Sequence, residues 1–356
     1  MINGHGGNIY DMARQLGCAT WDIIDMSSNV NPLGPPLGLA DFLRAHMDAI
    51  LALPQVDSRE MVKIFADRHN IDASLVLAGN GTTQFIYTIP KALETKKACI
   101  LGPTYADYAD ACAMHGRYHE YLISHEDSDF KMDMDHIQKG THGFDTVFIC
   151  NPNNPTGVLI PGDDLEKLCR SQPDTYFVID ESYLPFADDS DRHSMLNRRL
   201  SNVVVLNSMS KIFRVPGLRI GFLIASEKII EKFERHVLPW SVNSLAQLAV
   251  SYLMERKSGT DAFVENTRAF LAAERKGLGE SLRTISDMRL FPSTTSFILI
   301  RLPENQRAEE VCAHFARKRT LIRNCANFAG LSDRFIRISL KTRENNVMAA
   351  EMLLNL

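Results

Sequence analysis

Lys211 stands in the run Asn207-Ser208-Met209-Ser210-Lys211, directly after the apolar segment Val203-Val204-Val205-Leu206, with Arg219 eight positions on. An amine at the end of a buried strand can attack a carbonyl carbon, while two hydroxyls and a guanidinium can hold a phosphate. Alone, Ser-x-Ser-Lys is as often a surface lysine following a strand. Two upstream segments change the balance. Asn151-Pro152-Asn153-Asn154-Pro155-Thr156-Gly157 follows Thr146-Val147-Phe148-Ile149-Cys150, and Asp180-Glu181-Ser182-Tyr183 follows Tyr176-Phe177-Val178-Ile179. Each begins where an apolar run stops, and in open α/β sheets ligands bind outside the carboxyl ends of the strands. A buried carboxylate (Asp180) can keep an aromatic ring nitrogen protonated. An amide (Asn154) and a phenol (Tyr183) can hydrogen-bond an oxygen on the same ring. A lone strand-end Asp is ordinarily a cap and Asn-Pro ordinarily a turn. The four elements in this order point instead to pyridoxal phosphate, held covalently by the lysine with its ring acting as electron sink.

The elements that must position these groups alternate. Strands are expected at 75–78, 97–101, 118–122, 145–149, 175–179, 203–207 and 220–224, with helices near 59–69, 82–93, 105–115 and 162–171. Such alternation predicts an α/β fold with a mainly parallel sheet and helices on both faces. Gly79-Asn80-Gly81-Thr82-Thr83-Gln84 joins the first strand to a helix. Glycines there let the backbone approach an anion, and the N–H groups of a helix start suit a phosphate. From about 243 the texture changes. A helical stretch over 243–286 breaks at Ser258-Gly259-Thr260, then short strands at 296–302, 320–323 and 335–340 flank a helix near 306–317. This reads as a separate α+β unit.

These segments carry a family resemblance over nearly the full length. The chain resembles the fold-type I pyridoxal-phosphate enzymes of the aspartate-aminotransferase superfamily, and within them the histidinol-phosphate aminotransferase branch. His5-Gly6-Gly7-Asn8-Ile9, Pro239-Trp240-Ser241-Val242-Asn243 and Ile322-Arg323-Asn324-Cys325-Ala326-Asn327-Phe328, followed by Gly330-Leu331, narrow it. They are similar to segments of the L-threonine-O-3-phosphate decarboxylases of cobalamin biosynthesis. The resemblance implies a large cofactor-binding domain over 37–242 and a discontinuous small domain of 1–36 with 243–356. It implies that Gly81, Thr82, Thr83, Ser208, Ser210 and Arg219 hold the cofactor phosphate and that Tyr105 stacks on the ring. It also implies catalytic roles for Lys211, Asp180 and Tyr183. On the substrate side it implies His5, Gly6, Asn29, Asn154, Arg323 and Arg337. Arg337 interrupts the apolar run Phe335-Ile336-Arg337-Ile338, where a buried charge needs a partner.

Two positions depart from the pattern. Gln84 replaces an acidic residue. Leu53, in Leu53-Pro54-Gln55, stands where relatives carry a tyrosine that reaches the cofactor phosphate of the partner subunit. Either another group replaces that contact, or the site is shaped for a different phosphorylated substrate. The activity implied is decarboxylation of L-threonine O-3-phosphate to (R)-1-aminopropan-2-ol O-phosphate by a homodimer. L-serine O-phosphate as substrate, or a histidinol-phosphate-type aminotransfer, remain as alternatives.

Composition narrows the partners. At 356 residues with 45% hydrophobic content, the chain can bury a large core. A formal net charge of −4 gives no reason to expect nucleic acid or an anionic membrane. No apolar run approaches the length of a transmembrane helix, and the N-terminus shows no secretory pattern. The seven cysteines are odd in number and lack Cys-x-x-Cys, which fits a reduced, cytoplasmic protein. The histidines form no metal-binding spacing, and His115, His119 and His125 are expected to be solvated.

Overall fold

Val-, Ile- and Phe-rich runs of five or six residues become strands because β-branched and aromatic side chains fit a pleated surface covered on both faces. The computed structural model describes residues 6–356. Its strands are β1 (Ile24–Asp25), β2 (Val76–Asn80), β3 (Lys97–Gly102), β4 (Tyr118–Ile123), β5 (Thr146–Cys150), β6 (Tyr176–Asp180) and β7 (Val203–Ser208). They continue with β8 (Ile220–Ala225), β9 (Arg289–Leu290), β10 (Phe297–Arg301), β11 (Thr320–Leu321), β12 (Arg323–Asn324) and β13 (Phe335–Ser339).

The main sheet has seven strands in the order β2-β8-β7-β6-β5-β3-β4. Strands β3 to β7 pair in parallel, and β8 runs antiparallel to both β2 and β7. The interior strand β5 is buried along its whole length. Parallel register aligns the ends of neighbouring strands: Cys150 of β5 sits beside Asp180 of β6, and Asp180 beside Leu206 of β7. The segments that follow β5, β6 and β7 therefore emerge along one edge. These are the segments bearing Asn154, Tyr183 and Lys211. Phe65 stacks on Phe222 and Tyr108 on Phe148, with ring centroids 3.9 and 5.3 Å apart. Burying each such ring contributes roughly 1.5–3 kcal/mol.

A second, antiparallel sheet has the order β12-β13-β10-β9. β1 pairs in parallel with β11, Ile24 opposite Thr320, so the N-terminal segment joins chain that arrives some 300 residues later. The helices Ser244–Glu255 and Lys257–Leu282 meet at Arg256, not at Ser258-Gly259-Thr260. The Thr260 hydroxyl donates to the Leu253 carbonyl at 2.6 Å, so the first turn of the second helix satisfies the end of the first. That places Gly259 inside a helix. His115 is also not simply solvated: it is half-buried, and its Nε2 lies 2.7 Å from the Tyr87 carbonyl. No helix among the described residues is long and apolar enough to cross a membrane.

Candidate active site

The turn from β7 into the short helix Met209–Ile212 places Lys211 one step beyond the sheet edge. Its backbone is fixed by Asn31, whose N–H donates to the Lys211 carbonyl at 3.0 Å. Burial, with the nearby Arg219 charge, lowers the Lys211 amine to about 8, against an opposing pull from Asp180. A larger fraction of the amine is then neutral, and only the neutral amine attacks a carbonyl.

Asp180 ends β6 and is buried. Burial pushes its carboxyl up. The Ser182 N–H (2.9 Å), the Tyr108 hydroxyl (2.8 Å) and the Lys211 charge act against that rise. Tyr183, three residues on, is buried, and its phenol is pushed up to about 12 by desolvation. Its oxygen accepts from Asn29 Nδ2 at 3.3 Å, and its ring meets Phe297 edge-on at 5.2 Å. A phenol that stays protonated at neutral pH is a donor for a ligand oxygen.

The anion cradle forms where β2 runs into the helix Thr82–Ala92. Gly81 caps that helix with φ +74°, a conformation that favours glycine. A Cβ at Gly81 would lie 2.6 Å from Arg219 Nη2, so the missing side chain is what lets the guanidinium close over the helix start. Arg219 Nη2 also reaches the Thr83 hydroxyl at 3.5 Å. Gly221 on β8 is equally tight, since a Cβ there would come within 2.3 Å of the Thr82 nitrogen. Helix N–H groups, hydroxyls and a guanidinium together can take a phosphate monoester. Gln84 does what a carboxylate would do locally: its Oε1 accepts the Asn80 N–H at 2.7 Å.

One cavity is lined by Gly81, Thr82, Thr83, Tyr105, Asn154, Asp180, Tyr183, Ser208, Ser210, Lys211 and Arg219. All the residues singled out for the cofactor thus face a shared space. Tyr108, Cys150, Ser182 and Ile86 also line it and were not singled out. Tyr108 is the most telling of these. It is fully buried, it bonds Asp180, and Tyr105 packs edge-on against it at 5.9 Å.

The two arginines expected on the substrate side, Arg323 and Arg337, do not line this cavity, and Arg337 is joined to it through Asn154. Arg337 on β13 is buried, donates from Nη1 to Asn154 Oδ1, and donates from Nη2 to the Ser27 carbonyl at 2.7 Å. Its Nε is buried without a partner among the described residues. Arg323 on β12 is its direct cross-strand neighbour. Arg323 donates to Asn327 at 2.6 Å and lies over the Phe328 ring at 5.1 Å. Asn29 is clamped between Tyr183 and the Ser339 hydroxyl, which donates to its Oδ1 at 2.6 Å. Gly6 runs past these groups, and a Cβ there would stand 3.0 Å from the Ser27 carbonyl and 3.6 Å from Arg337 Nη2. His5 lies outside the described residues. Leu53 is 76% exposed and does not line the cavity.

A strand-end amine, a buried carboxylate and a helix-start anion cradle around one cavity fit a phosphorylated pyridine aldehyde. The family model for aminotransferase class I and II matches residues 22–353. The chain belongs to this family. As an aminotransferase-fold enzyme it uses pyridoxal 5′-phosphate. It is 29% identical over 348 residues to the threonine-phosphate decarboxylase of Salmonella typhimurium, covering 97% of this chain and 94% of that one. It is 30% identical over 347 residues to the adenosylcobalamin biosynthesis bifunctional protein CobDQ of Leptospira interrogans. That match takes in 96% of this chain but spans only 40% of the Leptospira protein. The crystal structure of the histidinol-phosphate aminotransferase from Clostridium acetobutylicum superposes with a TM-score of 0.85 at 26% identity, covering 94% of this chain and 98% of that one.

Proposed function

We propose that this enzyme decarboxylates L-threonine O-3-phosphate to (R)-1-aminopropan-2-ol O-phosphate, a step of cobalamin assembly. The observation that carries the reading is the cross-strand pairing of Arg323 with Arg337. Like charges placed opposite each other in a sheet destabilise it. Among the described residues neither guanidinium forms an ion pair with a carboxylate. A substrate bearing a carboxylate and a phosphate monoester brings two anions, the phosphate alone about −1.5 to −2. The relatives named for threonine phosphate and for adenosylcobalamin support the same substrate class.

When bound, pyridoxal phosphate supplies the electron sink that accepts the pair left on Cα as CO2 departs. The residues of this chain would divide the remaining work. Gly81, Thr82, Thr83, Ser208, Ser210 and Arg219 hold the cofactor phosphate. Asp180 keeps the ring nitrogen protonated, a role that also gives this buried carboxylate a cationic partner. Tyr105 would cover the ring, and Tyr183 and Asn154 would donate to its oxygen. Lys211 Nζ would hold the cofactor, and the same amine would carry the proton delivered to Cα. Arg323, Arg337, Asn29, Gly6 and His5 receive the substrate anions. The large domain would comprise 37–242 and the small one 1–36 with 243–356. Seven free thiols are in keeping with a reducing, cytoplasmic setting.

A second reading, histidinol-phosphate-type aminotransfer, is favoured by the Clostridium acetobutylicum superposition. It would use the same cavity and differ in which Cα bond stands across the ring. The test of the proposal is kcat/KM for L-threonine O-phosphate, L-serine O-phosphate, free L-threonine and histidinol phosphate. Threonine phosphate should exceed serine phosphate by about 10–200-fold, the worth of one methyl in an apolar pocket. It should exceed free threonine by far more. Equal turnover of free threonine would overturn the proposal.

A further inference from the structure

The segment from Asp25 to Asn29 is fastened to the end of β13 by three side chains of one strand face. Arg337 donates to the Ser27 carbonyl (2.7 Å), the Ser339 hydroxyl to Asn29 Oδ1 (2.6 Å), and Lys341 Nζ to the Ser28 carbonyl (2.9 Å). The spacing 337, 339, 341 keeps the two-residue period of β13 for two positions beyond its end at Ser339. On its other side the same segment holds the N-terminal arm. The Gly7 N–H donates to Ser27 Oγ at 2.7 Å, and that hydroxyl donates to Asp25 Oδ1 at 2.7 Å. Asp25 Oδ1 also accepts the N–H groups of Ser27 (2.9 Å) and Ser28 (3.1 Å), which fixes the turn.

Ser27 therefore touches both sides at once. Its hydroxyl holds Gly7 and its carbonyl holds Arg337, and the side chain is 1% exposed. The fit around the arm is close. Gly7 has φ +83°, and a Cβ there would stand 2.6 Å from Ser28 Oγ. A Cβ at Gly6 would press on the Ser27 carbonyl at 3.0 Å and approach Arg323 Cδ at 3.5 Å. Ser27 thus joins the start of the arm, at Gly7, to the strand segment that carries Arg337.

We infer that Ser27 is a positioning residue that sets the N-terminal arm in register over Arg323 and Arg337 and so tunes affinity for an anionic substrate. The inference rests on the reading of those arginines as the substrate-anion site. Removing the hydroxyl leaves the Gly7 N–H without its acceptor while the Ser27 carbonyl still receives Arg337. Gly7→Ala loosens the same contact from the arm's side without altering Ser27.

The experiment is a double-mutant cycle of Ser27→Ala and Gly7→Ala in the full-length holoenzyme. It reads KM and kcat for L-threonine O-phosphate, cofactor absorbance, and hydrogen exchange of the Gly7 amide. Each single variant should raise KM about tenfold, the effect of one lost hydrogen bond. Exchange at residue 7 should quicken, kcat and absorbance should stay within about twofold, and the double variant should be no worse than the worse single. Unchanged KM, unchanged exchange in Ser27→Ala, or fully additive effects would overturn the inference. So would a parallel loss of kcat and absorbance, which a purely structural role would give. If Ser27→Ala fails to fold, Gly7→Ala alone still decides, since an unchanged KM there contradicts the inference. If the wild-type enzyme turns over a different anionic substrate, the proposed function fails. The same cycle on that substrate still tests Ser27.

Discussion

Burial sets the chemistry of Lys211. An amine at its ordinary value near 10.4 is neutral in roughly one molecule in 2,500 at pH 7, whereas one at about 8 is neutral in roughly one in ten. The rate at which the apoenzyme captures pyridoxal phosphate should therefore climb with pH and level off near 8. A rate still climbing beyond pH 10 would show the amine to be unperturbed. Borohydride reduction followed by peptide mapping should place the pyridoxyl group on Lys211, and Lys211→Ala should abolish both the adduct and turnover. Tyr108→Phe removes the 2.8 Å hydrogen bond to Asp180 while keeping the buried ring. It should lower kcat about tenfold with cofactor affinity much less affected; wild-type kcat would mean that Asp180 needs no help from Tyr108. At this scale the sequence showed residue types next to strand ends, which is where Lys211, Asp180 and Asn154 declare themselves. It did not show Tyr108 or Ser27, because their roles come from partners 72 and 20 positions away.

The junctions between elements carry the anion cradle. Gly81 and Gly221 bring the end of β2, the start of β8 and the helix Thr82–Ala92 close enough for Arg219 to cover the helix start. Gly81→Ala should weaken cofactor binding at least tenfold, through both the φ +74° strain and the clash with Arg219. Equilibrium titration with pyridoxal phosphate checks it, and unchanged affinity would place the phosphate elsewhere. In the main sheet β3, β5, β6 and β7 were legible because buried parallel strands read as continuous apolar runs, while β4, at the edge, carries no buried residue. β1, β9, β11 and β12 have two residues each, too few for any period to show. Only β11 and the first residue of β12 fall within a run the apolar pattern marked, at 320–323, and that single expected strand is divided between two sheets. The helix Arg343–Leu354 was missed too: its polar first turn and mixed faces give little amphipathic signal. The break at Arg256 escaped because Gly259 is the obvious breaker, yet a hydroxyl bond from Thr260 holds that turn helical.

For the whole molecule, the assembly expected of this enzyme is a homodimer. Leu51, Leu53 and Leu238 are 83, 76 and 66% exposed, and the Trp240 N–H donates to the Val56 carbonyl at 3.0 Å, so the 51–56 and 238–240 segments adjoin. An apolar surface of this kind is usually covered by a partner. Leu53→Asp should shift sedimentation toward the monomer and lower activity with it; a wild-type protein that is fully active as a monomer would contradict the dimer. The order of the two sheets was legible as a change of texture near residue 243, whereas the pairing of β1 with β11 was not, since it joins positions 296 residues apart. Reaction type is the central claim, and it turns on which bond of Cα breaks. The most direct measurement is the ratio of CO2 to 2-oxo acid released by the purified holoenzyme from L-threonine O-phosphate. The account predicts CO2 in step with substrate loss, with a phosphorylated amino alcohol as the sole organic product. Formation of the 2-oxo acid without CO2 would contradict it.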